Sequence, residues 1–313
     1  MIFRNTFRLL FSNFSNVWKL LLYYFICFSI TALVCSGFIM PIINELARDG
    51  ILTKLWDIIS NFFVIGPEAS LVALHEVIVQ TIAILSDNLT LKFFSIFTII
   101  WLFLVFPITL DMAKIALGEV IYGYMTSQVK YSFTGRYVKN IGKGISYSAL
   151  KYAVQLVFRA LNIGVMVCFF QFLIKGGGYV FLAMLVFALL LLLVALKRTL
   201  FSCWMPAICV LSEDAFSSLA TNFKTSFRNF FVIFSNMLVL EIVAIVFNLI
   251  FSVFTATVSL IITLPITVFV FAIAEMTSFF SSRGMRFYVY PDMFISPKKF
   301  EEQDSISRIK NLI

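Results

Sequence analysis

Arg159, Glu241 and Glu275 are the side chains of this sequence best placed for chemistry, because each interrupts an apolar run long enough to cross a bilayer. An unpaired charge near mid-bilayer costs about 3 kcal/mol on insertion scales, so such groups face a bundle interior and pair. One arginine can serve one or both carboxylates. With Asn162 on the same run as Arg159, the set forms a candidate intramembrane polar site: a proton or ion site, or an anchor for a charged headgroup. The plainer account is an interhelical salt bridge, with Glu275 snorkelling near the end of its run. Gln155, Gln171 and Asn248 fit either account, as site lining or as interhelical hydrogen-bond glue.

Other chemistry has little to stand on. No HExxH, Walker A or GxSxG pattern occurs, and Gly142-Lys143-Gly144 lacks the remaining positions of a phosphate loop. His75 is the single histidine, which excludes a histidine metal cluster within one chain. Beside Glu76 it has the make-up of a pH sensor, or more simply of the polar face of a surface helix. The five cysteines lie in or beside apolar runs with no CxxC, and read as packing residues. No catalytic residue, metal ligand or cofactor is expected.

The elements that must carry these residues follow from composition. Of 313 residues, 61% are hydrophobic and 13% charged, with a mean hydropathy of +0.99; soluble domains carry about 25% charged residues. The 38 phenylalanines exceed what one aqueous core of this size can hide, so lipid must solvate many of them. The expected fold is all-α: a polytopic transmembrane helical bundle with about six spans, near 17–40, 93–110, 152–174, 179–196, 231–253 and 259–280. A single membrane domain covers 1–280, with an outer interfacial segment at 44–90 and a polar tail at 281–313. Whether 69–86 is interfacial, re-entrant or spanning stays open. The first apolar run is too long for a signal-peptide core.

Basic, aromatic stretches precede three of the spans. In the stretch ending at Asn236, Phe216, Leu219, Phe223, Phe227, Phe230 and Phe234 recur at helical spacing, with Lys224 and Arg228 on the border of that face. The N-terminal stretch repeats it: at an offset of 220, Phe3, Phe7, Arg8, Phe11, Phe14, Ser15 and Asn16 match Phe223, Phe227, Arg228, Phe231, Phe234, Ser235 and Asn236. Phe133, Tyr137, Ile141 and Ile145 form a weaker third version among Arg136, Lys139 and Lys143. Arg4, Arg8, Arg136, Lys139, Lys143, Lys224 and Arg228 are the candidate contacts to anionic lipid headgroups. The net charge of +8 is spread over these connections, which points to a membrane surface and away from nucleic acid. A second copy or another membrane protein is the remaining partner class.

Pro107-Ile108-Thr109 and Pro265-Ile266-Thr267 repeat in two returning spans, and Pro206 follows a third. The chain thus reads as three hairpins, each with a basic lead-in, an outgoing span and a proline-bearing return. With both termini in the cytoplasm, inner segments hold 19 of the 24 Lys and Arg residues, the bias the positive-inside rule demands.

Pro206, Ala207, Ile208, the acidic pair Glu213-Asp214, Ala215, and Ser226 to Asn229 complete a pattern of proline, apolar run, acidic pair and basic helix. This resembles bacterial polytopic families that include the membrane domain attached to some glycerophosphoryl diester phosphodiesterases. The resemblance covers mainly residues 200–245. It implies architecture and a bacterial inner-membrane location; the soluble barrel that does the chemistry in such enzymes is absent, so no activity is implied. Two functions remain: a non-enzymatic scaffold or accessory factor on anionic lipid, or a small transporter of a lipid or solute built on the Arg/Glu site.

Overall fold

In a computed structural model, residues 2–61, 66–175, 179–255, 258–290 and 293–295 are described. They form α1 (Ile2–Ser12), α2 (Ser15–Arg48), α3 (Ile51–Ser60), α4 (Pro67–Asp87) and α5 (Leu89–Ile100). A π-helical turn (Trp101–Val105) joins α5 to α6 (Phe106–Ser127), followed by α7 (Phe133–Lys139), α8 (Ile141–Val154) and α9 (Leu156–Lys175). Then come α10 (Tyr179–Phe201), α11 (Trp204–Leu211), α12 (Ser217–Arg228), α13 (Phe230–Phe254), α14 (Leu260–Arg283), and a small hairpin of β1 (Phe287–Tyr290) and β2 (Met293–Ile295).

Among the described residues, five stretches are long and apolar enough to cross a bilayer: Ser15–Arg48, Leu89–Ser127, Tyr179–Leu211, Phe230–Phe254 and Leu260–Arg283. A sixth arises if Ile141–Val154 and Leu156–Phe172, bent by 50°, make one span. The chain is an all-α polytopic helical bundle with the make-up of a multi-pass membrane protein. Several helices outrun the expected spans. At 1.5 Å per residue, the 34 residues of α2 reach about 50 Å, well beyond a hydrocarbon core of about 30 Å. α4 falls outside the set of candidate spans.

Side-chain chemistry sets the breaks between helices. At the end of α1 the Asn13 amide is shared between the Leu9 and Leu10 carbonyls, and its Nδ2 also donates to the Leu9 carbonyl, a side-chain bond that competes with continuation of the helix. Gly50, at φ +71°, turns α2 into α3 in a conformation that favours glycine. Asn88 caps α5 by accepting from the amides of Thr90 and Leu91. The π turn lies just ahead of Pro107, which has no N–H to offer the preceding turn.

The chain packs as two compact units. One comprises Phe25–Ile108 and Ile163–Ala188 and is held by aromatic contacts: Phe38 lies 4.2 Å from Phe97 and 5.4 Å from Phe94 between ring centroids. Trp101 Nε1 donates to Thr31 Oγ1 at 3.5 Å. Lys54 of α3 donates to Gln80 of α4, and His75 is exposed.

The other unit, Met1–Tyr24, Thr109–Asn162 and Leu189–Ile313, is built around α14. Half of the most apolar window of α14 is buried by protein, against 6% for α2. Helices α1, α11, α12 and α13 pack on it. Gly118 of α6 sits against Met205 and Cys209 of α11 so closely that a Cβ would collide with both sulfurs. The expected polar tail begins later than 281. Phe287 and Val289 of β1 enter the core, and Ser12 Oγ donates to the Val289 carbonyl. The tail residues 291–292 and 296–313 lie outside the described residues.

The lead-in helices present an unexpected face to the protein. α12 buries Ser218, Asn222, Thr225 and Ser226, while Phe216 is 77% and Phe227 60% exposed. Its rings stack in a row, Phe223 on Phe227, Phe227 on Phe230 and Phe230 on Phe234, with Phe223 also against Phe201 of α10 and the row continuing past the break at Asn229. α8 buries Gly144, Tyr147, Ser148 and Lys151 and leaves Ile141 and Ile145 exposed. α1 buries Asn5 and Thr6 together with Ile2, Leu9 and Leu10. Small polar residues face inward because their helices can approach closely and exchange hydrogen bonds there, whereas rings suit a lipid solvent.

The sequence repeat extends to this buried face. At the offset of 220, Ile2 and Asn222, Asn5 and Thr225, Thr6 and Ser226, Asn13 and Ile233, Val17 and Met237, and Leu20 and Leu240 are all buried. The helix breaks, however, come at Asn13–Phe14 in one copy and at Asn229 in the other, about one turn apart in register.

Candidate functional site

Five helices of the α14-centred unit bring charged side chains together. Asp111, in the first turns of α6, uses both carboxylate oxygens: Lys114 Nζ lies 2.9 Å from Oδ1 and Lys151 Nζ 2.9 Å from Oδ2. Lys114 comes from the next turn of the same helix, the spacing at which helical side chains meet. Lys151 comes from α8. It can reach because Gly144, two turns earlier on the same face, lets α8 approach the Met112 carbonyl; a Cβ there would stand 3.0 Å from that oxygen. Tyr147, fully buried on this face, packs edge-on against Trp204 and lies beside the Lys151 ammonium.

Glu275 projects from α14 within electrostatic reach of Lys114, Lys151 and Arg198. Arg198, near the end of α10, pairs with Glu241 of α13 and lays its guanidinium 3.6 Å from the Phe271 ring centroid. Phe271 and Glu275 are one turn apart on α14, so Arg198 stands between the two carboxylates. Lys197 adds a further cation near Arg198, Arg159 and Glu241. Three carboxylates thus share one region with Lys114, Lys151, Arg198 and Lys197, and Lys151 and Glu241 are each 8% exposed. Burial makes every member depend on its partner, because removing one strands the other in a poorly solvating interior.

Beside this network, Asn222 holds the junction between α10 and α11. Its Oδ1 accepts from the Cys203 amide at 3.0 Å and from Ser226 Oγ, and its Nδ2 donates to the Leu200 carbonyl at 2.8 Å. Trp204 Nε1 donates to the Ala215 carbonyl and to Ser218 Oγ. The polar face of α12 is therefore spent on backbone groups that the junction leaves free.

The residues singled out from sequence are distributed as follows. Glu241 and Glu275 are members of the network. Arg159 lies 4.1 Å over the Tyr152 ring; among the described residues Glu241 has Arg198 as its ion-pair partner, not Arg159. Asn162 Oδ1 is buried without a hydrogen-bond partner. Of the cations assigned to lipid, Arg4, Lys139, Lys143, Lys224 and Arg228 are exposed, and Arg8 is half-buried. Arg136 is committed within the protein, to Glu119 at 3.0 Å and to the Tyr131 ring at 3.8 Å.

Asp111, Lys114, Lys151 and Arg198 were not singled out, because each stands at the end of an apolar run and reads as a flanking charge. The Asp111–Lys114 spacing directly after a proline-bearing span was the available signal. Among the described residues, no group of three His, Cys, Asp or Glu side chains is arranged to hold a metal ion. Comparison with family models, with curated proteins and with solved structures finds no match to this chain.

Proposed function

We propose that this protein is a non-enzymatic membrane scaffold or accessory factor that rests on anionic lipid, with both termini in the cytoplasm. The observation that supports it is the pairing of charges between helices. Asp111 holds Lys114 and Lys151, and Glu241 pairs with Arg198, which fits a lock between helices better than a site kept open for a solute. Arg4, Lys139, Lys143, Lys224 and Arg228 remain on the outside, available to lipid phosphate. The earlier resemblance to bacterial polytopic families agrees with an inner-membrane location.

One observation favours transport instead. Among the described residues Glu275 has cations nearby but no ion pair within 4.0 Å, the condition of a carboxylate that can exchange partners. Reconstitution into liposomes separates the two. A scaffold gives proton and monovalent-ion flux equal to that of empty vesicles. Flux above that background, abolished by Glu275→Gln in a protein that still purifies as a single species, would establish the transporter. Cysteine-labelling or reporter fusions that put either terminus outside the cell would reject the orientation.

A further inference from the structure

Two cations beside the charged network have no acid of their own. Arg159, in the first turn of α9, reaches back across the bend at Gln155 and lays its guanidinium 4.1 Å from the centroid of the Tyr152 ring of α8. Lys197 lies one turn before the end of α10. The two helices meet at this level: Phe158, next to Arg159, packs edge-on against Phe201, one turn beyond Lys197, with ring centroids 6.0 Å apart. Lys197 is acted on by three cations, Arg198, Arg159 and Lys114, and by one acid, Glu241. That acid is held by Arg198, and Asp111 is held by Lys114 and Lys151. Among the described residues neither Arg159 nor Lys197 enters an ion pair. Lys114, Lys151, Arg159, Lys197 and Arg198 thus face Asp111, Glu241 and Glu275, a surplus of two cations. Both surplus cations are half-buried, beside the exposed apolar residues Val157 and Leu161 of α9 and Leu192 of α10. Like charges repel strongly where water screens them little, so this pair calls for an anion from outside the chain.

We propose that Arg159 and Lys197 hold the phosphate of an anionic phospholipid at the face where α9 meets α10. The Tyr152 ring covers one face of the guanidinium and leaves its in-plane N–H groups for the two unesterified oxygens, while the ammonium supplies the second charge. A free phosphate has the same chemistry; the exposed apolar flank is what favours a lipid as its carrier. The choice of lipid rests on the reading that this protein sits on anionic lipid, whereas the oxyanion site itself does not.

Lysine acetylation of the full-length protein in a maltoside detergent, mapped by mass spectrometry, tests the site without any variant. Added phosphatidylglycerol should slow modification of Lys197 roughly fivefold or more relative to the exposed Lys224. Phosphatidylcholine, whose own cation offsets its phosphate, should protect Lys197 far less. Inorganic phosphate separates the two carriers: protection by it alone overturns the lipid and leaves a soluble anion in its place. Protection by neither phosphatidylglycerol nor phosphate, or equal protection by the two lipids, overturns the proposal outright. Arg159→Gln should raise the phosphatidylglycerol concentration that half-protects Lys197 by roughly fivefold, the worth of one cation at an anionic surface. Arg228→Gln, an exposed cation on α12, should leave that concentration unchanged; an equal rise in both variants would mean that lipid is gathered by overall charge and would overturn the site. Ion flux in liposomes would end the scaffold reading and leave the protection of Lys197 intact, so the two ideas fail separately.

Discussion

Lys151 and Asp111, forty positions apart, meet with Nζ 2.9 Å from Oδ2, and the same carboxylate holds Lys114 with its other oxygen. One acid thus ties two turns of α6 to α8. Its loss would leave two ammonium groups in a region that solvates neither well.

Asp111→Asn should therefore be the most damaging single change in the network, with a loss of about 5 kcal/mol, the upper end for breaking a buried pair. Lys151→Met leaves Lys114 on the carboxylate and should cost less, roughly 3 kcal/mol. Unfolding of the two variants in the same detergent checks the order. Equal stability would mean the ion pairs contribute nothing.

The Arg198–Glu241 pair gives a double-mutant cycle. Either Arg198→Met or Glu241→Leu alone strands a charge, and each should lower the midpoint of thermal unfolding clearly. The double variant R198M/E241L replaces both with apolar groups and should recover most of the loss, a coupling of about 1–3 kcal/mol. Additive effects would show that the two side chains do not sense each other.

Asn222→Leu keeps the volume of the side chain and removes its hydrogen bonds. The Cys203 amide and the Leu200 carbonyl then lack partners, at about 1–3 kcal/mol each. Cys203 is fully buried beside this junction, so maleimide adducts mapped by mass spectrometry should be absent from Cys203 in the unaltered protein, where the exposed Cys168 labels, and appear at Cys203 in the variant. A Cys203 that stays unreactive would show that the junction is held by other contacts.

Two glycines on α8, two residues apart, should respond with opposite sign. Gly144→Ala brings a Cβ to 3.0 Å from the Met112 carbonyl, a backbone atom that cannot rotate away, and should destabilise by about 1–3 kcal/mol. Gly142 has open space around its missing Cβ, so Gly142→Ala should stabilise by roughly 0.5–1 kcal/mol through helix propensity alone. Thermal unfolding of the pair is the measurement. A loss at Gly142 equal to that at Gly144 would reject close approach as the cause.

Much of the architecture was legible in the chain. Apolar runs near twenty residues announce helices for lipid, and Leu89 to Ser127 shows how such a run continues past its expected end. There the polar residues after Pro107 still satisfy a helix, and hydropathy alone does not mark its stop. The 220-residue repeat was visible because the ring positions matched; that the repeat also preserves the buried face was not, since Asn5 and Thr225 share no residue type. The hairpin carrying Phe287 and Val289 was read as tail because its strands are short and lie among prolines and charges.

The sequence by itself determined the solvent of this protein and the need of Glu241 and Glu275 for opposite charge nearby. Only the tertiary structure decided which cations supply it and which face of each lead-in helix turns inward. In a lipid solvent a phenylalanine is at ease on either side of a helix, so apolar periodicity marks a face without saying which way it points. Partner choice depends on the rotation and rise of helices far apart in the chain. Arg198 reaches Glu241 because α13 packs on α14 and Arg198, at the end of α10, lies over Phe271 of α14, a fact that no spacing within either helix contains.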